Sequence, residues 1–254
     1  MVNINLHKRV FIDILREIYT DSLLRTALGF KGGSAAMLFY GLPRFSVDLD
    51  FDLLNAEKKD AVLKRLKEIL PSFGKLSEAT EKRFTLFFLL NYRLGERNVK
   101  IEISKRPIKS EFKPKNYLGI SMLVMTKPDM AAGKWAALLT RRRFASRDVF
   151  DLWYFLKQNW LIDEDSLEKK SGMNLSQAIV KAQERVKKIK KTELLSGLGE
   201  LLDNRQKSWA RQKLIEETIF YLDLYRETKN IPKKKTAVRR MTSLKGKTRK
   251  EEEA

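Results

Sequence analysis

The stretch KGGSAAMLFYGLPRFSVDLDFDLL, residues 31–54, joins a glycine turn to an acidic strand. Its last part alternates three aspartates, Asp48, Asp50 and Asp52, with apolar residues, which is the pattern of a strand with one buried face. Alternate side chains of a strand share a face, so these carboxylates point the same way. They repel one another unless a cation lies among them. The stretch therefore predicts a divalent-cation site, with Mg²⁺ as the first candidate and Mn²⁺ as the second.

The glycine turn before this strand predicts an anion site. Gly32 and Gly33 let the backbone come close to a ligand. Ser34 is a good N-cap for a short helix, whose free N–H groups favour a phosphate, and its hydroxyl can donate to a phosphate oxygen. Arg44, in the loop before the acidic strand, is a candidate for steering a nucleotide or closing the site. A triphosphate and the metal ligands can therefore lie side by side.

A third carboxylate comes from a later strand. The segment VKIEIS, residues 99–104, offers Glu102 between two isoleucines, in the same alternation of apolar and acidic residues. We expect Glu102 to join the aspartates as a metal ligand. The alternative is a solvent-facing side chain that pairs with Lys100 or Lys105.

The composition excludes several kinds of chemistry. The chain has 254 residues, no cysteine and a single histidine, His7. Disulfides, cysteine-based zinc sites and Ser-His-Asp triads are therefore excluded or very poorly supported. No apolar run approaches the roughly 20 residues that span a bilayer, and charges interrupt the apolar N-terminus, so we expect no membrane association and a cytoplasmic protein.

The net charge indicates a polyanionic partner. The chain carries a formal charge of +20, from 52 Lys and Arg against 32 acids. The segment 233–254 holds nine Lys and Arg and three Glu, or +6, which leaves +14 on the rest. A basic folded body favours nucleic acid ahead of a membrane surface. A lysine-rich surface of a thermophilic protein is the alternative, although such surfaces usually balance Lys with Glu.

The order of patterns predicts an α+β protein. Helical periodicity covers 7–28 and 56–70, and strand-like segments follow at 73–76, 84–92, 99–104 and 117–124. From residue 126 the pattern is helical to about 229. We expect a mixed sheet with flanking helices over 1–125, a C-terminal helical domain over 126–230, and a basic disordered tail over 231–254.

These blocks together resemble a known family. A GGS turn followed by DLD and a later acidic strand resembles the DNA polymerase β-like nucleotidyltransferase superfamily. More narrowly, KGGSAAMLFYGLPRFSVDLDF is similar to the AbiEii/AbiGii toxin-type nucleotidyltransferases, in which a Gly-Gly-Ser/Thr turn, a Tyr-Gly-x-x-Arg-Phe-Ser loop and an Asp-x-Asp strand run together. The resemblance continues into KIEI (100–103) and GKWAALLTRRRFASRDVFDLW (133–153). It implies the nucleotidyltransferase fold.

The resemblance also implies residue roles. Asp48 and Asp50 would bind the metal ions, Glu102 would be the third acid, and Asp52 would at most assist. Lys134 would reach the incoming triphosphate as a point charge. A surface lysine whose stem packs on apolar neighbours is the alternative for Lys134.

A second implied motif opens the following helix. Arg147 and Asp151 have the i,i+4 spacing of an ion pair, and Asp148 in the first turn suits the helix dipole, so structural roles are open for all three. In the family pattern they hold the active site between the domains. We expect Asp148 to be functional and Asp151 to be structural.

Three arginines in the turn before that helix, Arg141, Arg142 and Arg143, are candidate contacts for RNA phosphates, with a solvated turn as the alternative. The combined interpretation is a metal-dependent nucleotidyltransferase that moves a nucleoside monophosphate from an NTP to an acceptor and releases pyrophosphate. By resemblance the acceptor would be RNA, with the 3′ end of tRNA first, and the protein would be the toxin of a toxin–antitoxin or phage-defence pair with a cognate antitoxin. The alternatives are nucleotidylation of a protein or small molecule, and a non-catalytic nucleic-acid-binding module.

Overall fold

The structure, a computed structural model, describes residues 3–107, 110–229 and 231. Its helices are α1 (Ile4–Thr20), α2 (Leu24–Ala27), α3 (Gly32–Tyr40), α4 (Lys59–Ile69), α5 (Lys127–Thr140), α6 (Ser146–Lys157), α7 (Glu164–Ser171), α8 (Leu175–Lys187) and α9 (Asn204–Thr228). Its strands are β1 (Leu28–Lys31), β2 (Asp48–Leu53), β3 (Lys75–Glu81), β4 (Thr85–Asn91), β5 (Val99–Ser104), β6 (Phe112–Tyr117) and β7 (Ile120–Met125). The predicted tail over 231–254 lies, apart from residue 231, outside the described residues.

The described strands form one mixed sheet in the order β3-β4-β5-β2-β1-β7-β6. β2 runs antiparallel to β1 and parallel to β5, and β1 runs parallel to β7. The predicted α+β fold, with a mixed sheet, flanking helices and a helical C-terminal region, is confirmed. The acidic strand β2 occupies the centre, between the strand that leads into the glycine turn and the strand that carries Glu102.

The two faces of the sheet differ in burial. Leu49 and Phe51 of β2 and Ile103 of β5 are fully buried. Phe30 of β1 has its ring centroid 5.3 Å from that of Phe51, and 6.4 Å from that of Phe39 in α3, so α3 packs on this apolar face. Because strand side chains alternate, the acidic residues of β2 lie on the opposite face, which we call the open face.

The C-terminal helices begin where the sheet ends. β7 ends at Met125 and α5 begins at Lys127, which agrees with the predicted change from a strand pattern to a helical pattern near residue 125. Trp135, Leu138 and Leu139 of α5 are buried. Buried apolar residues of the sheet and of the helices belong to one continuous cluster, so the division into two domains stays a prediction. No helix in the described part of the chain is long and apolar enough to cross a bilayer.

The start of α3 differs from the prediction. Ser34 was expected as the N-cap, but α3 begins at Gly32 with Lys31 as its N-cap, and no side chain caps the helix. Phe30 and Lys31 were expected to form a tight turn with Gly32 and Gly33, but they belong to strand β1. The position of β1 explains this result. Its four residues are too few to show a strand pattern, and hydrogen bonding to β2 and β7 on either side makes them a strand.

Two other segments also differ. The strand expected over 117–124 is a hairpin, because Leu118 and Gly119 both have positive φ, 50° and 80°, and form a two-residue turn between β6 and β7. The helix predicted over 56–70 ends at Ile69 and is followed by a 3₁₀ turn over Leu70–Phe73, so the next strand begins at Lys75 rather than at residue 73.

Candidate active site

Asp50 and Glu102 lie side by side on neighbouring parallel strands. The register of β2 and β5 places Asp50 opposite Glu102 and Asp48 opposite Lys100. Because alternate residues share a face, Asp48, Asp50 and Glu102 all lie on the open face. The structure therefore brings together the three carboxylates that the two acidic segments predicted.

Glu102 has no ion-pair partner among the described residues. The alternative drawn from the sequence paired it with Lys100 or Lys105. Lys105 contacts Glu81 instead, and Lys100 makes no ion pair within 4 Å in the described part of the chain, although it lies opposite Asp48. This leaves the Glu102 carboxylate available to a ligand.

Burial and like charges raise the pKa of Asp50 to about 6. Loss of solvent is the largest cause, the Asp48 carboxylate is the next, and Glu102 acts in the same direction. Lys31 and Lys134 lower the pKa but do not compensate fully. The cluster is therefore held at an electrostatic cost that a cation among the carboxylates would remove.

Gly32 provides the space that Asp50 occupies. Its φ is +79°, and a Cβ at this position would lie 2.3 Å from Oδ2 of Asp50. A Cβ on Gly33 would lie 2.8 Å from Oγ of Ser46 and 2.9 Å from Nη2 of Arg44. The glycine pair is thus required for close packing against a carboxylate and a guanidinium. Its contact with phosphate stays a prediction.

Ser34 links the turn to the acidic strand. Its side chain is fully buried, and its hydroxyl donates a short hydrogen bond to the backbone carbonyl of Asp48. This bond fixes the start of β2 relative to α3. The predicted hydrogen bond from Ser34 to a phosphate stays a prediction, and it would require this hydroxyl to change partner.

Arg44 is committed to a buried ion pair. It is 4% exposed, and its Nε and Nη2 donate to the two carboxylate oxygens of Asp151 at 2.5 and 2.7 Å. Burial alone would raise the pKa of Asp151, but Arg44 and Lys134 lower it to about 2. Arg44 therefore joins the loop before β2 to helix α6, and its predicted contact with a nucleotide stays a prediction.

Lys134 faces two acidic side chains of α6. Its Nζ lies 2.7 Å from Oδ2 of Asp151 and 3.7 Å from Oδ1 of Asp148. Arg141 contacts the other oxygen of Asp148 at 2.7 Å, whereas Oδ1 is buried without a hydrogen bond. The positive charge of Lys134 also lowers the pKa of Asp50. Its contact with a triphosphate stays a prediction.

Two ion pairs cross the open face. Nη1 of Arg147 lies 3.7 Å from Oδ2 of Asp48, and Lys31 makes a short ion pair with Asp52. The predicted pair between Arg147 and Asp151 is therefore wrong, because Arg147 faces the sheet. The contact between Lys31 and Asp52 is shorter than that between Arg147 and Asp48, so Asp52 is paired more closely than Asp48.

Arg142 and Arg143 are exposed in the loop between α5 and α6, and neither makes a hydrogen bond or ion pair within the described residues. They are free to contact a polyanion or only solvent, and their contact with RNA phosphates stays a prediction. Two surface cavities, of about 350 and 460 Å³, lie along α4 and beside the β6–β7 turn, away from the carboxylates.

The donor set fits a hard divalent cation. Asp48, Asp50 and Glu102 offer carboxylate oxygens on one face, and burial first and their repulsion second raise the pKa of Asp50. In the described part of the chain, no group of three such side chains is arranged closely enough to hold an ion unaided. Mg²⁺ commonly takes one or two carboxylates and completes its shell with substrate phosphates and water. The donor atoms are therefore of the type that a divalent cation takes, and the metal site itself stays a prediction.

Two features of the site were not predicted. Lys31 directly precedes the glycine turn, but nothing in the local pattern indicates its partner Asp52. Asp151, expected to be structural, holds both Arg44 and Lys134, and these two partners were not predicted. The family motif around α6 was the only sequence signal for it.

The fold and this arrangement of acids define the chain as a nucleotidyltransferase. Residues 13–214 match the family model described as nucleotidyl transferase AbiEii toxin of type IV toxin–antitoxin systems. The match covers most of the chain, which therefore belongs to the AbiEii family. The resemblance predicted from the sequence is confirmed.

Solved structures agree on the fold. The chain is similar to JHP933 from Helicobacter pylori, with 19% identity and a TM-score of 0.54 over 89% of this chain and 96% of that one. It is also similar to MenT4, a nucleotidyltransferase toxin from Mycobacterium tuberculosis H37Rv, with 17% identity and a TM-score of 0.50 over 89% and 87% of the two chains. No curated protein sequence matches it.

Proposed function

We propose that this toxin uses a divalent cation, Mg²⁺ before Mn²⁺, to transfer a nucleoside monophosphate from an NTP to the 3′ end of tRNA in the cytoplasm. The observation that carries the proposal is the placement of Asp50 opposite Glu102, with Asp48 on the same face, beside the glycine turn. A cognate antitoxin, and a role in defence against phage, follow from the type of system and belong to the same proposal.

The residues of the chain would have the following roles in the reaction. Asp48, Asp50 and Glu102 would hold the cation, which would supply charge stabilisation at the phosphates. An acceptor hydroxyl oxygen forms a bond to the α-phosphorus, the bond from that phosphorus to the β-phosphate oxygen breaks, and pyrophosphate leaves. The hydroxyl proton would pass to a carboxylate oxygen of this cluster, since Asp48, Asp50 and Glu102 share the open face. Lys134, which acts electrostatically on Asp50, would exchange part of its contact with Asp151 for the triphosphate.

RNA is the proposed acceptor because of charge. The chain without its last 22 residues still carries +14, since the tail contributes nine basic residues and three acids to a total of +20. Arg142 and Arg143 are exposed and unpaired within the described residues. A basic surface attracts phosphates over a distance of about 10 Å at moderate salt. The same charge argues against a cationic small molecule and is neutral toward a protein acceptor.

One labelling experiment tests the proposal. The full chain is incubated with each labelled NTP, Mg²⁺ and either total RNA or cell protein. We expect label in the tRNA fraction, and a loss of about a hundredfold or more in Asp50→Asn. Asp60→Asn, at an exposed position of α4, is the matched control and should transfer normally. Label in protein alone would replace the proposed acceptor, and full activity in folded Asp50→Asn would remove the proposed site.

A further inference from the structure

We propose that the open face of β4 and β5, next to Glu102, binds a single-stranded end of the acceptor RNA, and that a base of this end stacks on Phe87. The inference rests on the proposed function for the reaction itself. It adds the position of the acceptor and names residues that bind it.

The order of the strands indicates from which side of β2 the acceptor approaches. The glycine turn follows β1, on one side of β2, whereas β5 and then β4 lie on the other side. In phosphoryl transfer the attacking and leaving oxygens are roughly in line. A triphosphate at the glycine turn therefore directs its pyrophosphate toward β1, and the acceptor hydroxyl must approach from the side of β5 and β4.

Phe87 is the aromatic residue next to the carboxylates on that side. The register of β4 and β5 places Phe87 opposite Glu102. Its neighbours Leu86 and Phe88 are fully buried in the core, so Phe87 points to the open face, where it is half-buried. Across the strands, Phe87 lies in one row with Glu102 and Asp50. Packing in the core therefore does not explain a large apolar ring at this position.

Two lysines lie near Phe87 on the open face, in addition to the acids of its row. Apart from the adjacent strands, β4 contacts mainly the 3₁₀ turn 70–73, whose Leu70 is buried in the core. Nζ of Lys82 lies 3.4 Å from the centroid of the Phe87 ring. Lys100 lies on the same face between Asp48 and Leu89, and makes no ion pair within the described residues.

An aromatic ring flanked by lysines is the usual means of binding single-stranded nucleic acid. Each base can stack on the ring whatever its identity, and the lysines contact the adjacent phosphates. A protein acceptor would not require this combination. Lys82 also contacts Glu78 at 3.2 Å, so a phosphate would replace a carboxylate that is already a weak, exposed partner. The ring and the two lysines therefore favour a polynucleotide end.

Binding of RNA hairpins without NTP tests the inference directly. Two probes share one stem, and only one has a four-nucleotide single-stranded 3′ overhang. We expect the full chain to prefer the overhang in fluorescence anisotropy, and Phe87→Leu to weaken overhang binding about tenfold. Phe87→Tyr keeps a ring and should bind as the unchanged protein does. Phe220→Leu, at a 60% exposed phenylalanine of α9, is the matched control and should have no effect.

Transfer kinetics separate this inference from the proposed function. We expect Phe87→Leu to raise KM for the overhang RNA and to leave KM for the NTP unchanged. If the unchanged protein labels RNA but folded Phe87→Leu binds the overhang and reacts normally, only the inference is wrong. If the unchanged protein labels no RNA, the proposed function fails.

A second variant covers a folding defect in Phe87→Leu. Lys82→Gln changes a side chain that is 48% exposed, so the fold should not depend on it. We expect it to weaken overhang binding and to reduce the salt dependence by about 0.7 in the log–log slope. If Lys82→Gln binds both hairpins normally, the inference is overturned even without data for Phe87→Leu.

Discussion

At Gly32 the backbone lies directly against a carboxylate of the site. Its φ of +79° favours glycine, and a Cβ would lie 2.3 Å from Oδ2 of Asp50. We expect Gly32→Ala to lose about 1–2 kcal/mol of unfolding free energy from backbone strain. It should also lose about a hundredfold in transfer rate, since an ångström of displacement at a reacting group can cost that much. Thermal unfolding and the labelling assay measure the two effects.

Gly119 is the matched control for this substitution. Its φ is +80°, but a Cβ there would meet nothing within 4 Å. Gly119→Ala should therefore share the loss of stability and keep normal transfer. Equal activity in the two alanine variants would show that the space beside Asp50 does not matter for the reaction.

Individual site residues could be predicted where the signal is local. Asp48 and Asp50 are two positions apart in one strand, so alternation alone places both on one face. Glu102 required only a second strand with the same pattern. The pair of Arg44 and Asp151 could not be predicted from spacing, because 107 residues separate the partners and only the packed fold brings them together.

At the level of elements, helix α1 is joined to the start of β2 through the only histidine. Nε2 of His7 lies 3.2 Å from the carbonyl oxygen of Val47, and Nδ1 lies 2.9 Å from the hydroxyl of Tyr92. A carbonyl can only accept, so we infer that Nε2 carries the proton and that Tyr92 donates to Nδ1. Burial, the largest cause, lowers the pKa of His7, and Arg97 acts in the same direction.

This histidine should make stability depend on pH. An unfolded histidine takes up a proton near pH 6.5, whereas His7 in the folded protein does so only at lower pH. The unfolded state then binds more protons below pH 6.5, so the contribution of His7 to stability is complete above that pH and is lost as pH falls. Urea unfolding at pH 8, 7, 6 and 5 should show a falling difference in unfolding free energy between the unchanged protein and His7→Gln. Parallel curves would contradict the prediction.

The elements themselves were predictable to different degrees. Long periodic segments such as α1 and α4, and the alternating strands β2, β4 and β5, follow from their own residues. Strand β1 does not, because its four residues run into the glycine turn and gain their structure from β2 and β7. The β6–β7 hairpin was missed because Leu118, which rarely takes a positive φ, precedes Gly119 in the turn.

At the scale of the whole molecule, ion pairs of different burial connect the sheet to the helices. Arg44 and Asp151 are 2% and 0% exposed in their side chains, whereas Arg97 and Glu200 are 36% and 49% exposed. Removing Arg44 would leave the buried carboxylate of Asp151 with Lys134 as its remaining cation within the described residues. We therefore expect Arg44→Ala to lose about 3 kcal/mol of unfolding free energy in urea, the lower end for a broken buried pair.

Arg97→Ala provides the comparison, because it breaks a connection between the same two regions at the surface. We expect it to cost less than about 1 kcal/mol. Similar losses in the two variants would mean that Arg44 contributes no more than a solvated contact, and that the sheet and the helices are held together by apolar packing alone.

The charge of the whole molecule makes its affinity for RNA depend on salt. Each phosphate contact that a basic residue makes releases counterions, so the slope of log K against log salt counts such contacts. Arg142 and Arg143 are exposed and unpaired within the described residues, whereas the neighbouring Arg141 contacts Asp148 at 2.7 Å.

We expect the double variant Arg142→Gln, Arg143→Gln to reduce the slope by about 1.4 to 1.8 and to leave thermal stability unchanged. Arg141→Gln should instead lower stability, since it removes a partner of a buried carboxylate. Titrations of tRNA between low and physiological salt measure the slope, and an unchanged slope in the double variant would exclude these arginines from the RNA surface.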